Sequence, residues 1–292
     1  MPYQILGDVH THTLYSRHAY STIQENVEAA AAAGLEILGS TDHFSCMLFP
    51  EQHLRNFQYF TNMGIWPRTW HGVMLLHGCE VDVVGLKGEL FGQDIGIDSD
   101  ITGRELNTPR TLFDRVVSGA DYMVASVHDR SFADGASLAQ TTEMYVRALE
   151  SPKVFILGHT GRSSVPYDLD EVLTCAKEHH KLLELNEHSL DFDADGRFHA
   201  TCSKIAQRCA ELGVGVAVNS DAHMAWQIGR YDNVLAMLEE IHFPEELIMN
   251  RGREPFLHEL AAAGVWNQGD SPLGSGDQGD CPPGSIGEGA DA

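Results

Sequence analysis

Residues 7–18 read GDVHTHTLYSRH. Asp8, His10 and His12 alternate with Val9, Thr11 and Thr13. Side chains two apart in an extended strand point to the same face. The spacing therefore predicts three coordination-capable groups converging at one strand end, with His18 close behind. An inner face of Asp-x-His-x-His makes a poor apolar layer. Burying such groups without partners costs roughly 1–3 kcal/mol each. Two arrangements satisfy them: hydrogen-bonded core histidines, or a metal site, imidazole being the commonest metal ligand.

Outward from this stretch, apolar strand-like runs alternate with helical patterns. Runs at 3–9, 35–41, 73–79, 121–127, 153–158, 181–186 and 214–219 predict seven strands. Between them, Ser21 to Gln24 has capping-box spacing ahead of an alanine-rich run that stops at Gly34. Thr108-Pro109 predicts a helix start, as does Asp168 with Glu171. Further helices are expected over 138–150, 200–212, 231–241, 244–250 and 255–263. Residues 44–72 form a long polar and aromatic segment, and 85–107 a glycine- and aspartate-rich loop or hairpin insertion. Alternating strands and helices imply a mostly parallel sheet in an α/β protein. Seven units suggest a barrel, and no glycine-rich dinucleotide fingerprint follows the first strand.

In α/β barrels, functional groups gather at the C-terminal ends of the strands. His10 and His12 follow the first predicted strand, His43 the second, Glu80 the third, His128 the fourth and His159 the fifth. Asp221 and His223 follow the seventh, again two apart. With His18 this makes nine candidate metal ligands. Three or four protein ligands per ion, with a carboxylate able to bridge, suit two or three divalent ions.

The formal charge of −23 sets 19 Lys+Arg against 42 Asp+Glu. A chain this acidic, with no basic run, repels nucleic acid and anionic membranes. Bound dications would supply a local positive field for a small anionic substrate. The six cysteines are scattered and form no CxxC pair, which fits free thiols in a reducing cytoplasm. No signal-like or membrane-spanning stretch is expected. Residues 1–264 read as one domain. Residues 265–292 hold seven glycines, five acids and no Lys or Arg, and read as a disordered acidic Gly/Pro/Ser-rich tail.

The motifs DVHTHT (8–13), RHAYS (17–21), STDH (40–43), IWPR (65–68), SVHD (126–129), GHTG (158–161) and SDAH (220–223), with Glu80, resemble the PHP (polymerase and histidinol phosphatase) metal-dependent phosphoesterases. Within that family the chain is similar to the stand-alone YcdX-type phosphatases. The resemblance spans about residues 3–264. It implies a distorted (β/α)7 TIM-like barrel and a trinuclear site, with zinc first and manganese or iron as alternatives. It also implies that His10, His12, Glu80 and Asp221 hold one ion, with Glu80 bridging to a second held by His128 and His159. His18, His43 and His223 would hold the third. Asp8 and Asp42 match the motifs' acids and are expected to orient ligand histidines. The 85–107 insertion and the loop from Glu187 to His199 depart from the family pattern. Both are expected to border the site and to bear on substrate identity.

The reaction expected is metal-assisted hydrolysis of a phosphate ester, with a metal-held hydroxide attacking phosphorus in line. Arg17, Arg130 and Arg162 stand beside ligand motifs, either to grip phosphate or as ordinary surface arginines. His188 is a leaving-group acid or, in preference, an exposed loop residue. Cys79 is expected to be a small buried apolar residue. Three rival readings are an amidohydrolase, a nuclease and a metal-binding regulatory protein without turnover. No Lys ends the fourth strand, where a binuclear amidohydrolase commonly needs one. The IWPR segment could line a pocket, pack as core or form a subunit contact, so a homo-oligomer is allowed.

Overall fold

The structure, a computed structural model, describes residues 3–266. Seven parallel strands lie side by side in chain order: β1 (Gly7–Thr11), β2 (Ile37–Ser40), β3 (Val73–Asp82), β4 (Tyr122–Ser126), β5 (Val154–Leu157), β6 (Leu182–Asn186) and β7 (Val216–Asn219). Helices α1 (Ile23–Ala32), α2 (Leu112–Val117), α3 (Leu138–Glu150), α4 (Leu169–Glu178), α5 (Arg197–Leu212), α6 (Asp232–Glu240) and α7 (Arg253–Ala262) accompany them. The result is a near-closed, distorted (β/α)7 barrel. No helix among the described residues is long and apolar enough to cross a membrane.

One apolar layer draws on every strand: Val9, Ile37, Leu76, Tyr122, Phe155, Leu182 and Ala217 are all buried in a single cluster. Phe256 of α7 packs edge-on against Tyr122 and Phe155, with ring centroids 5.9 and 5.3 Å away. The Tyr122 hydroxyl donates to the Val9 carbonyl at 2.5 Å. It occupies the space beside Gly39, where a Cβ would collide with it.

Side chains close the seam between β7 and β1. Near the mouth, the His12 N–H donates to the Ala222 carbonyl at 2.9 Å. Lower down, Asn219 Oδ1 accepts from the Val9 N–H at 3.1 Å. Asn250, fully buried, spans the rest. Its Nδ2 donates to the carbonyls of Gly7 (2.7 Å) and Val218 (2.6 Å), and its Oδ1 accepts from the Val218 N–H (2.9 Å). Each backbone group that lacks a strand partner here is thus satisfied by an amide.

Several local expectations are corrected. The capping box of α1 lies one residue later, with Thr22 and Glu25 bonding reciprocally. Ser21 instead accepts from the Ala225 N–H at 2.6 Å, which ties the first loop to the last. Thr108 and Pro109 do not open a helix. They lie in a strand, Glu105–Thr111, that pairs antiparallel with Gly96–Ser99, and α2 starts after the Thr111 cap. The helix expected over 244–250 is two single 3-10 turns. In IWPR, Trp66 packs edge-on against His77, while the Arg68 guanidinium pairs with both oxygens of Asp121. Val265 is buried against the core. The rest of the expected tail, from 267 onward, lies outside the described residues.

Replacing Asn250 with Ala is expected to leave the buried N–H and carbonyl of Val218 without partners, while the Gly7 carbonyl keeps the Tyr231 hydroxyl at 3.3 Å. The cost should be about 3 kcal/mol or more, read as a lowered urea midpoint with an unchanged slope.

Lys181 offers a pH test. It is buried, forms no ion pair among the described residues and donates to the Val154 carbonyl at 2.5 Å. Burial lowers its ammonium from 10.5 to about 8. The unfolded chain therefore binds more protons between those values, and this residue's contribution to stability rises as pH climbs from about 8 to 10.5. Lys181→Met should abolish that rise and stabilise the protein near pH 7, by about 2 kcal/mol at most. Urea titrations of both proteins at the two ends of the window measure it.

Candidate metal centre

Strand geometry delivers the ligands, with one irregularity. In β3, Leu76 faces the apolar layer, so Glu80 and Asp82, at even spacing from it, emerge on the same face above. In β1 the register slips between Asp8 and Thr11. Val9 joins the apolar layer while its neighbour His10 reaches Glu184. The expected single face of Asp8, His10 and His12 is therefore broken at Asp8, as a bulge permits.

Glu80 is the centre. It has no exposed surface. Its Oε1 lies 2.9 Å from His159 Nε2 and 3.4 Å from His128 Nε2. Its Oε2 lies 2.7 Å from His43 Nδ1, 3.4 Å from His10 Nε2 and 3.6 Å from His12 Nε2. Asp221 is the second carboxylate. Its Oδ1 stands 3.0 Å from His12 Nε2 and 3.6 Å from His10 Nε2. On the outer side, His18 Nε2 faces His43 Nε2 at 3.2 Å, and the His223 ring lies 4.8 Å from that of His18. All nine candidate ligands are brought together.

Burial shapes their charge. It drives His12 well below the usual histidine range, helped by His43 and His223, and brings His18 down to about 4 for the same reasons. Burial and then Arg162 bring His159 to about 4. For His10 burial pulls downward, but the carboxylates of Glu184, Glu80 and Asp221 outweigh it and hold the ring well above the usual range. For Glu80, burial is outweighed by His128, His10 and His43, which keep it ionised. For His128 burial pulls downward, but Glu80 and Asp82 outweigh it and raise the ring to about 10. Metals take neutral imidazoles and ionised carboxylates, so a bound ion would displace a proton from His10 and His128.

The residues fit divalent ions. His10 Nε2, His43 Nδ1 and Glu80 Oε2 are buried atoms that make no hydrogen bond. The 2.7 Å approach of His43 to Glu80 falls outside hydrogen-bond directions. Three groups offer ligand atoms lying within 4.8 Å of one another: His12, His43 and His223; His10, His12 and Asp221; and His43, Glu80 and His128. A cation placed among converging lone pairs satisfies atoms that proton sharing leaves orphaned. The all-nitrogen and oxygen donor set suits zinc, manganese or iron. Cys79 packs in the apolar cluster outside the barrel, and burial pushes its thiol above the ordinary value, against ligation.

Sequence reading missed the groups that aim the rings. Glu184 Oε1 accepts from His10 Nδ1 at 2.6 Å and from Asn219 Nδ2 at 2.9 Å. Its Oε2 accepts from the His159 N–H at 2.7 Å and Asn186 Nδ2 at 3.1 Å. This holds the His10 proton on Nδ1 and leaves Nε2 for the cluster. Asp82 does the same for His128, at 2.7 Å from its Nδ1. Asp8 and Asp42 bond no ligand ring. Asp8 accepts from Ser220 and from the Gly229 N–H, holding the loop that carries Asp221 and His223. Asp42 accepts from the Thr13 N–H and the Ser16 hydroxyl, holding the turn between His12 and His18.

Above the cluster opens a cavity of about 820 Å³, lined by Arg130, Arg162, Arg197, His188, Phe198 and Trp226 among others. Arg17 is not among its walls. It is exposed and stacks over Phe49, 5.0 Å from the ring centroid. His188 is not an exposed loop residue: it sits on a short helical turn, Glu187–Asp191, half-buried and stacked on His223. The loop after β6 borders the cavity, as expected. The 85–107 insertion does not, because its hairpin folds back toward Arg55, whose Nε donates to the Ile101 carbonyl at 3.1 Å.

Seven parallel strands that converge histidines and carboxylates at their C-terminal ends define a metal-binding α/β-barrel protein. The chain belongs to the PHP domain family, whose domain matches residues 8–193. Probable phosphatases of Clostridium acetobutylicum and Clostridium botulinum are 35% and 39% identical to it, each over 89% of this chain and 96% of the relative. One from Aliivibrio fischeri is 34% identical over 89% of this chain and 95% of its own length. The fold is also that of the histidinol phosphate phosphatase of Lactococcus lactis, solved with zinc, L-histidinol and phosphate (TM-score 0.51, 16% identity, 82% of this chain and 94% of that one).

Glu184→Gln is expected to weaken metal binding about 10–100-fold, with little change in fold. Competition against a graded chelator, with circular dichroism as the control, measures it.

Proposed function

We propose that this chain is a metal-dependent phosphatase acting on small phosphate esters through a trinuclear centre, with zinc first and manganese or iron as alternatives. The observation that carries the reading is Glu80, buried without exposed surface and offering its two oxygens to five imidazoles. Its relatives among the probable phosphatases support the reaction class.

In this reading His10, His12, Glu80 and Asp221 hold one ion, Glu80, His128 and His159 the second, and His18, His43 and His223 the third. Each close group in the structure contains two or three members of the corresponding set, with His12 and His43 at the borders. When bound, the ions supply an activated hydroxide and neutralise the phosphoryl and leaving oxygens. The chain's own part is positioning. Glu184 and Asp82 fix ring protons so that the ligating nitrogens point inward. Arg162, with Nη2 3.5 Å from Asp221 Oδ2, lies against the cluster and offers its remaining donors to a phosphoryl oxygen. The cavity has the size of a small-molecule site. A cytoplasmic location belongs to the same reading, supported by the five free cysteines among the described residues.

Purified protein is expected to carry two to three transition-metal ions per chain and to hydrolyse an aryl phosphate. Chelation should remove the activity and readdition of metal restore it. Glu80→Gln should lower both metal content and kcat/KM, the latter by about a hundredfold or more. Less than one ion per folded chain in excess zinc or manganese overturns the reading.

A further inference from the structure

The cavity wall carries an excess of positive charge that one phosphate does not use. The chain has 19 basic residues against 42 acids, yet among the described residues three arginines and no lysine line this cavity. Asp221 is the one carboxylate in that lining among the described residues, and it is turned toward His10 and His12. Arg162 lies nearest the metal ligands and accounts for the scissile group. Arg130 and Arg197 stand farther out, on two different elements.

Ser164 joins them. It has a left-handed backbone (φ 57) and ends the single-turn helix Thr160–Ser163, whose cap His159 is also left-handed (φ 29). This reversal projects Ser164 between the two arginines. Ser164 and Arg130 share one depression of about 330 Å³, and Ser164 and Arg197 share another of about 340 Å³. All three residues also line the main cavity. The Arg130 guanidinium makes one hydrogen bond among the described residues, Nη1 to the Ser164 carbonyl at 3.4 Å, and forms no ion pair among them. Arg197 lies over the Phe198 ring at 4.6 Å. Its acid partner, Asp195, is 3.6 Å away, and both side chains are about two-thirds exposed, so water screens the pair. Two guanidinium groups with donors to spare, facing one cavity in an otherwise acidic protein, make an anion subsite.

We propose that Arg130 and Arg197, on either side of the Ser164 corner, bind a second anionic group of the substrate. The substrate class is thus a phosphate monoester that carries another phosphate or a carboxylate at the far end of its carbon skeleton. This deepens the phosphatase reading and rests on it for the position of the scissile group.

The test uses metal-loaded full-length protein and unreactive probes: α,ω-alkane bisphosphonates of graded length, the matching ω-carboxyalkyl phosphonates and the simple alkyl phosphonates. Binding is read by calorimetry, and aryl phosphate hydrolysis is measured alongside. At the best chain length the wild type should bind a doubly anionic probe about tenfold or more tighter than the alkyl phosphonate. Whether bisphosphonate or carboxyalkyl phosphonate gains more identifies the second anion. In the double variant R130Q/R197Q that preference should fall to about twofold. A preference equal in wild type and double variant, or absent from both, overturns the subsite. A protein that hydrolyses aryl phosphate without the preference loses this inference alone. One with the arginine-dependent preference and no hydrolysis of any ester keeps the subsite and loses the reaction.

Discussion

Burying the Glu80 carboxylate removes it from water on every side. The effective penalty for such a charge is several kcal/mol, and among the described residues no lysine or arginine pairs with it. His128, His10 and His43 offset it instead, with His159 in hydrogen-bond contact and His12 alongside; the five come from β1, from the loops after β1, β2 and β4, and from the turn after β5. That arrangement fixes where the strands must end. It also explains why the polar shell is so dense: Glu184, Asp82, Asn186 and Asn219 are buried beside the cluster because each aims or satisfies a group that touches it.

The barrel thus has two layers with opposite demands. Below, aliphatic and aromatic side chains from all seven strands pack with Phe256 and are indifferent to protonation. Above, almost every side chain is a donor or acceptor, with Glu80 and Glu184 each serving several neighbours. The bulge in β1 lets Val9 serve the lower layer and His10 the upper one. The left-handed residues His159, Ser164 and Asp221 cluster at the mouth, where backbone strain is held in place by the surrounding contacts.

Much of this was legible in the chain. The recurrence of histidines and acids at strand ends announced both the parallel barrel and its mouth, because chemistry and strand periodicity point the same way there. Glu184 and Asn186 in LLELN carry the same two-residue spacing as Asp221 and His223, and that signal was available but read only as a strand. Arg197 falls in the expected loop from Glu187 to His199, where the sequence carries no periodicity, so only the fold, which opens α5 with it, brings it to the cavity. Thr108-Pro109 misled because its helix-start chemistry was overridden by pairing with 96–99, a contact that local propensity does not contain. Asn250 is silent in sequence: its role exists only once the first and last strands meet.

That meeting has a consequence in time. The seam joins residues 210 and 243 positions apart, Val9 to Asn219 and Gly7 to Asn250. During synthesis, the first strand waits with one edge unpaired until residues 219 to 250 have left the ribosome. At ordinary elongation rates this is roughly 10–50 s. Asp221 and His223 arrive in the same late segment, so a growing chain holds an incomplete cluster of histidines and carboxylates for as long as its sheet remains open. Birth of the enzyme and closure of its barrel are one event, and the open edge before it is where a nascent chain is most exposed to pairing with a neighbour.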